Sequence, residues 1–193
     1  MKEGLLMRRK DREMDRKFAL EVIDKSKYGI VSVVDKNNMP YSVPISIVRD
    51  GDMLYFHSAM AGDKVELYNL EPRANIVFVG EVQVPNLYSK DELDELLKDK
   101  KNANLVVSTI FTTEFESAIV QGRINRIEDQ NQKIKVLKLI CEKYTPDKME
   151  LFDIGVEAGV DKVLIYGIKI EEITAKRKKF DESGKEMKWM RKG

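Results

Sequence analysis

Cysteine and histidine each occur once in the 193 residues, as Cys141 and His57. A lone cysteine excludes an intrachain disulfide, and one Cys with one His excludes a multi-ligand Cys/His metal site within a single chain. Such sparing use of thiols fits a reducing, cytoplasmic compartment. Charge of one sign is also lacking. The 34 Lys and Arg residues face 33 Asp and Glu, a net +1, so no global field draws in nucleic acid or an anionic membrane. No segment approaches the ~20 apolar residues of a membrane span, and the opening "MKEGLLMRRKDREMDRK" has no apolar leader core. The chain is read as soluble, with no membrane or nucleic-acid partner. G-x-S-x-G, Walker and G-x-G-x-x-G motifs are missing as well.

What is present is a core's worth of apolar residues (42%) under a heavily charged surface (35%). Residues 9–27 carry Met14, Phe18, Val22 and Ile23 at helical spacing. The period then changes to that of strands. "YGIVSVVD" (28–35), "PYSVPISIVRD" (40–50) and "MLYFHSA" (53–59) follow one another through the turn signals "KNNM" and "DGD". Asp63–Leu70 reads as a helix starting at Asp63, with Asp63 and Glu66 as a capping-box variant. "ANIVFVGEVQV" (74–84) is the next strand, and 85–104 is a charged insertion. The stretch 105–129 reads as a long bent strand or two strands, with a bulge at Gly122. A helix over 131–146 and a last core strand in 161–179 precede a polar tail from Phe180. This pattern predicts one domain over 1–193: a mainly β fold with flanking helices, built as an antiparallel barrel.

Three stretches offer chemistry. In "FHSAMAGDK", Ser58 at a strand end, Gly62 and Lys64 at a helix start form a candidate phosphate cradle. A capped corner with a surface lysine is the plainer reading, and the charge of Asp63 counts against an anion. In "PYSVPISI", Pro40 and Pro44 point to an edge or bulged strand whose free backbone groups suit a flat heterocycle. In "TTEFESAIVQGRI", Glu116, Ser117 and Gln121 place hydrogen-bonding groups on an apolar strand. The acidic run "DELDE" (91–95) reads as a solvated face, "KRKK" (176–179) as a solvated strand end, and Cys141 as a core residue.

Together, "MRRKDREM", "PYSVPISIVRDGDMLYFHSAMAGDK", "FESAIVQGRINRIED" and "ICEKYTP", in order over residues 7–146, resemble the nitroimidazole-resistance branch of the pyridoxamine 5′-phosphate oxidase-like flavoproteins. The resemblance implies a split β-barrel homodimer with FMN in clefts between subunits. It implies that Ser42, Val43, Pro44 and Ile45 lie along the flavin ring through their backbone. It further implies that Ser58 and Lys64 hold the phosphate, that His57 lies by the flavin as the candidate catalytic group, and that Ser117 reaches the flavin from the partner chain. Gln121 shares the strand of Ser117 and joins the cofactor-binding set. There are departures: Asp63 stands where the oxidases carry Arg, and no Arg opens "YSVPI". Trp189 and Arg191 lie in a tail that does not align with the oxidases' substrate motifs, which argues against pyridoxamine phosphate as substrate.

The implied function is an FMN-dependent oxidoreductase passing electrons from reduced flavin to a small flat acceptor, a nitroaromatic or quinone. The alternative is a flavin- or haem-binding module without turnover on the same barrel.

Overall fold

The computed structural model describes residues 7–70 and 72–189. A short 3₁₀ turn precedes β1 (Glu13–Met14) and α1 (Arg16–Lys25). Two hairpins follow, β2 (Gly29–Val34) with β3 (Pro40–Ile45) and β4 (Val48–Asp50) with β5 (Met53–Ser58), rather than the single antiparallel meander that the turn signals suggest, and then α2 (Asp63–Tyr68) and β6 (Arg73–Gln83). The insertion carries α3 (Lys90–Leu97) and α4 (Ala103–Thr109). The remainder is β7 (Glu114–Ile127), α5 (Gln130–Tyr144), α6 (Phe152–Gly159), β8 (Leu164–Lys169) and β9 (Glu172–Lys178). The chain is therefore mainly antiparallel β with flanking helices, in the split-barrel class expected. Among the described residues no helix is long and apolar enough to cross a membrane.

Two compact units are formed. The larger comprises Ile23–Phe78 and Ile119–Ile173. Its strands run in the order β3-β2-β6-β7-β8-β5-β4. Period-two alternation explains β2: Val31 and Val33 are buried, while Ile30 and Ser32 are half-exposed. By contrast, β5 and β8 are buried on both faces. On one face Phe56 stacks on Tyr166 at 5.4 Å and meets Tyr68 edge-on at 5.6 Å. On the other, Tyr55 and Ile165 pack under Val136 and Ile140 of α5. That second layer is why "LIYGI" is apolar at every position.

Several boundaries differ from those read in the sequence, each for a local reason. The stretch 40–50 is two strands, because the backbone at Ile47 is bound by α5. Ile47 N–H donates to the Tyr144 hydroxyl at 2.9 Å, and its carbonyl accepts from Tyr144 Oη at 2.9 Å and Lys143 Nζ at 3.0 Å. Residues 105–109 are the end of α4 rather than strand, and 13–14 pair with β9 rather than extending a helix. Gly62, not Asp63, is the N-cap of α2, and no side-chain cap forms there. The last strand is two, β8 and β9. Cys141 is half-buried rather than core. Gly122 serves a close approach: a Cβ there would stand 2.2 Å from the Lys169 carbonyl oxygen.

The smaller unit comprises the described residues of Met1–Val22, Val79–Ala118 and Thr174–Gly193. Within it the acidic run of α3 is exposed, as expected, and the helix starts with a reciprocal Ser89–Glu92 capping box. The basic strand end is not solvated. Lys178 is buried and donates to the Thr112 hydroxyl, and Arg177 pairs with Glu116 at 3.0 Å while stacking on Phe18 and Trp189. The polar tail is tied to the N-terminal segment. Arg12 donates to Glu186 at 2.6 Å, and Lys188 reaches Asp11 at 2.9 Å and Glu186 at 2.8 Å. Arg191 lies outside the described residues.

Two measurements check this packing. Gly122→Ala forces a methyl into a backbone carbonyl and is expected to destabilise by about 2–3 kcal/mol in urea denaturation; an unchanged midpoint would refute the close approach. For the tail, burial opposes ionisation of Glu186, but hydrogen bonds from Arg12 and Lys188 outweigh it and hold its pKa down at about 2. A depressed carboxyl stabilises the fold above its ordinary value of 4.5 and loses that contribution as the pH falls towards about 2. The emission of Trp189, the sole tryptophan, should therefore shift red across that window. In Glu186→Gln the shift should already be present at neutral pH.

Candidate functional site

The larger unit gathers most of the residues singled out in the sequence. β3 ends the strand order and, among the described residues, pairs only with β2, so its other edge carries no ladder. Pro44, without an N–H, sits on this edge strand at no cost in hydrogen bonds. Ser42 and Pro44 point to solvent, Val43 is half-buried and Ile45 is buried. Ser42 shares a 2.8 Å hydrogen bond with Ser32, its register partner. Ser32 in turn pairs with Asn75 of β6, so Ser42, Ser32 and Asn75 form a polar row across three strands. Asn75 Oδ1 is buried and has no hydrogen-bond partner. Sequence reading passed over Asn75, although a polar residue alternating with buried Ile76 and Phe78 was the available signal.

At the end of β5 the pattern is different. Ser58 is buried, and its hydroxyl has no hydrogen-bond partner. A lone buried hydroxyl is costly unless something completes its bonding. Six residues on, at the start of α2, Lys64 is half-buried and makes no ion pair among the described residues. Neutral donor and free cation thus stand at the same strand–helix corner. Gly62 at φ 119° leaves open space where a Cβ would be, so the corner presents bare backbone.

His57 points the other way. Successive strand residues face opposite sides, so the ring of His57 lies on the face covered by α5, not on the face of Ser58. It lines a cavity of about 410 Å³ whose walls include Ile140 and Cys141 of α5 and Val156 of α6. Ser58 and Lys64 do not line that cavity. Partial dehydration, and then the positive charge of Lys64, lower the pKa of His57 below 6.5, so the imidazole is neutral at pH 7. Lys64 is therefore electrostatically coupled to His57 as well as placed near Ser58.

Gln121 is half-buried on β7 within the larger unit, and its carbonyl accepts from Glu171 N–H at 3.0 Å. Ser117 belongs to the smaller unit, half-buried on the same strand. Glu116 beside it is engaged by Arg177 and is not available to a ligand.

An open-edged antiparallel sheet with a helix-covered strand and an unsatisfied polar corner has the architecture of the split-barrel flavoprotein class. The pyridoxamine 5′-phosphate oxidase family model matches residues 15–177, and the chain belongs to that family. Among solved structures it is similar to a candidate 5-nitroimidazole antibiotic resistance protein from Bacteroides thetaiotaomicron. The two are 20% identical, 86% of each chain is covered, and the TM-score is 0.65. It is similar to an FAD and heme binding protein from Mycobacterium smegmatis at 15% identity, covering 86% of this chain and 73% of that one, with a TM-score of 0.66. It is also similar to a flavocytochrome from Azotobacter vinelandii at 17% identity, covering 93% and 77%, with a TM-score of 0.65. At these identities the likeness is one of fold. No curated protein matches the chain.

The Ser58 hydroxyl gives a test that separates stability from binding. Because it is buried without a partner, Ser58→Ala should be neutral or stabilising by up to about 1 kcal/mol in urea denaturation. A clear loss of stability would mean that the hydroxyl has a partner within the fold.

Proposed function

We propose that the protein is an FMN-binding flavoprotein that passes electrons from reduced flavin to a small flat acceptor, a nitroaromatic or quinone. The observation that carries the reading is the Ser58 hydroxyl, buried and unpaired at the corner where Lys64 offers a free ammonium. A terminal phosphate would satisfy both at once. In this reading the open edge of β3 at Ser42, Val43, Pro44 and Ile45 presents backbone N–H and C=O groups to the flavin ring. The Asn75 oxygen, two strands in from that edge, is also buried and unpaired. Family membership and the flavin- and haem-binding names of two similar structures support a flavin site over an ordinary edge strand and cap.

Bound flavin would supply the two-electron chemistry, and the chain supplies placement and charge. Lys64 neutralises the phosphate, with Asp63 beside it limiting the net positive charge. His57 lies on the other face of β5 from Ser58 and lines the cavity under α5, so it is given no proton-transfer role at the phosphate corner. We place Ser117 and Gln121 on a second copy's flavin, in a homodimer with its sites between subunits. Binding without turnover is the second reading, favoured by the haem-binding names of two of the similar structures.

Titration with FMN, followed by flavin fluorescence, tests the core of the proposal. The protein should take up about one FMN per chain, and Ser58→Ala and Lys64→Ala should each weaken binding about tenfold. No uptake of FMN, or uptake indifferent to both substitutions, would overturn it. Oxidation of the reduced, FMN-loaded protein by a nitroaromatic then decides between oxidoreductase and binding module.

A further inference from the structure

The cavity on the His57 side of β5 contains neither Ser58 nor Lys64, the groups given to the phosphate. Its lining comes from three places in the larger unit: the end of β5 and Val163 form the floor, α5 forms one wall and α6 the other. On α5, Leu137, Ile140 and Cys141 fall at helical i, i+3, i+4 spacing and so share one face. On α6, Phe152, Gly155, Val156 and Gly159 repeat the same rule over two turns. Two of those four positions are glycine, which lowers helix stability. Glycine on a packing face is commonly explained by close approach of a neighbour, but beyond the helix's own backbone and the adjoining residues nothing stands within 4 Å of where either Cβ would be. Their effect is to leave a flat, bare strip of backbone along one wall. The cavity opens to solvent past His57, Lys148 and Leu151, and its volume of about 410 Å³ falls in the range of small-molecule sites.

The polar groups on this cavity carry one sign. Lys148 is exposed, has no ion pair among the described residues, and stands with Thr145 and the neutral imidazole of His57. No Asp or Glu is among the lining residues. Apolar walls, a flat strip and a single cation select a planar apolar body with one negative end. We infer that this cavity binds an aromatic carboxylate, its ring against the Gly155–Gly159 strip and its carboxylate towards Lys148. The inference does not depend on flavin binding, since neither Ser58 nor Lys64 lines the cavity.

The sole cysteine provides a built-in reporter, because Cys141 is in the wall. With 2-naphthoate as probe and the neutral 2-naphthylmethanol as control, the purified protein should bind one naphthoate per chain by calorimetry. Saturation should slow carbamidomethylation of Cys141 by iodoacetamide, read by intact mass. Gly155→Leu fills open space and should abolish both binding and protection, with its melting temperature confirming that it folds. Lys148→Gln, an exposed change that the fold tolerates, should weaken naphthoate about threefold and leave naphthylmethanol unchanged. Absence of binding, binding that survives Gly155→Leu, binding that leaves Cys141 unprotected, or equal effects of Lys148→Gln on both probes would each overturn the inference. Loss of FMN binding in Ser58→Ala with naphthoate binding intact would show that the two sites stand or fall separately.

Discussion

The burial of β5 on both faces is the constraint on which the larger unit depends. From Leu54 to Phe56, a strand covered on one side by aromatic rings and on the other by a helix has no indifferent position. Phe56 must meet Tyr68 and Tyr166, and Tyr55 must meet Val136 and Ile140. A slip of one residue would exchange those sets and destroy both layers. The same alternation runs on to the strand end, where it sends Ser58 inward and turns His57 towards α5. Two adjacent residues are thereby assigned to different environments.

That separation organises the chemistry at the corner. On one face a buried hydroxyl lacks a partner and a lysine lacks a counter-charge, an arrangement that is unfavourable for the protein alone and favourable once an anion arrives. On the other face a neutral imidazole borders an apolar cavity. Lys64 affects both, by its free charge on one side and by lowering the pKa of His57 on the other. The Lys143 and Tyr144 contacts to Ile47 hold the break between β3 and β4 and the C-terminal end of α5 together, so the edge strand and the cavity wall are fixed by the same hydrogen bonds.

The smaller unit is governed by charge. Glu114 is buried, yet the hydrogen bonds it accepts from Gln83 and from Phe180 N–H outweigh the burial and keep its pKa below the usual value. Arg177, Lys178, Glu186 and Asp11 extend this pairing to the chain termini. The basic run that reads as a solvated strand end is thus structural, with the buried Lys178 held by Thr112 and the half-buried Arg177 by Glu116.

Local pattern was enough for the two hairpins, though not for their separation to opposite ends of the strand order, and for α2, α5 and the edge character of "PYSVPISI", because alternation, turn residues and proline act within a few residues. Local pattern also put Ser58 and Lys64 at one strand–helix corner, and family resemblance turned that corner into a phosphate site. Sequence did not reveal that 105–109 would be helical, since a short apolar run suits either period until its neighbours are known. Nor did it reveal the helix at 152–159, the docking of the tail, or the partnerless state of Ser58 and Asn75, because each depends on residues brought together from distant parts of the chain. The sequence by itself determined where most of the strand-forming stretches lie, that the strand carrying Pro44 belongs at an edge, and how few groups can do chemistry. Only the tertiary structure decided which way those groups face and what they lack, because burial and hydrogen-bond satisfaction are properties of the neighbours that folding supplies.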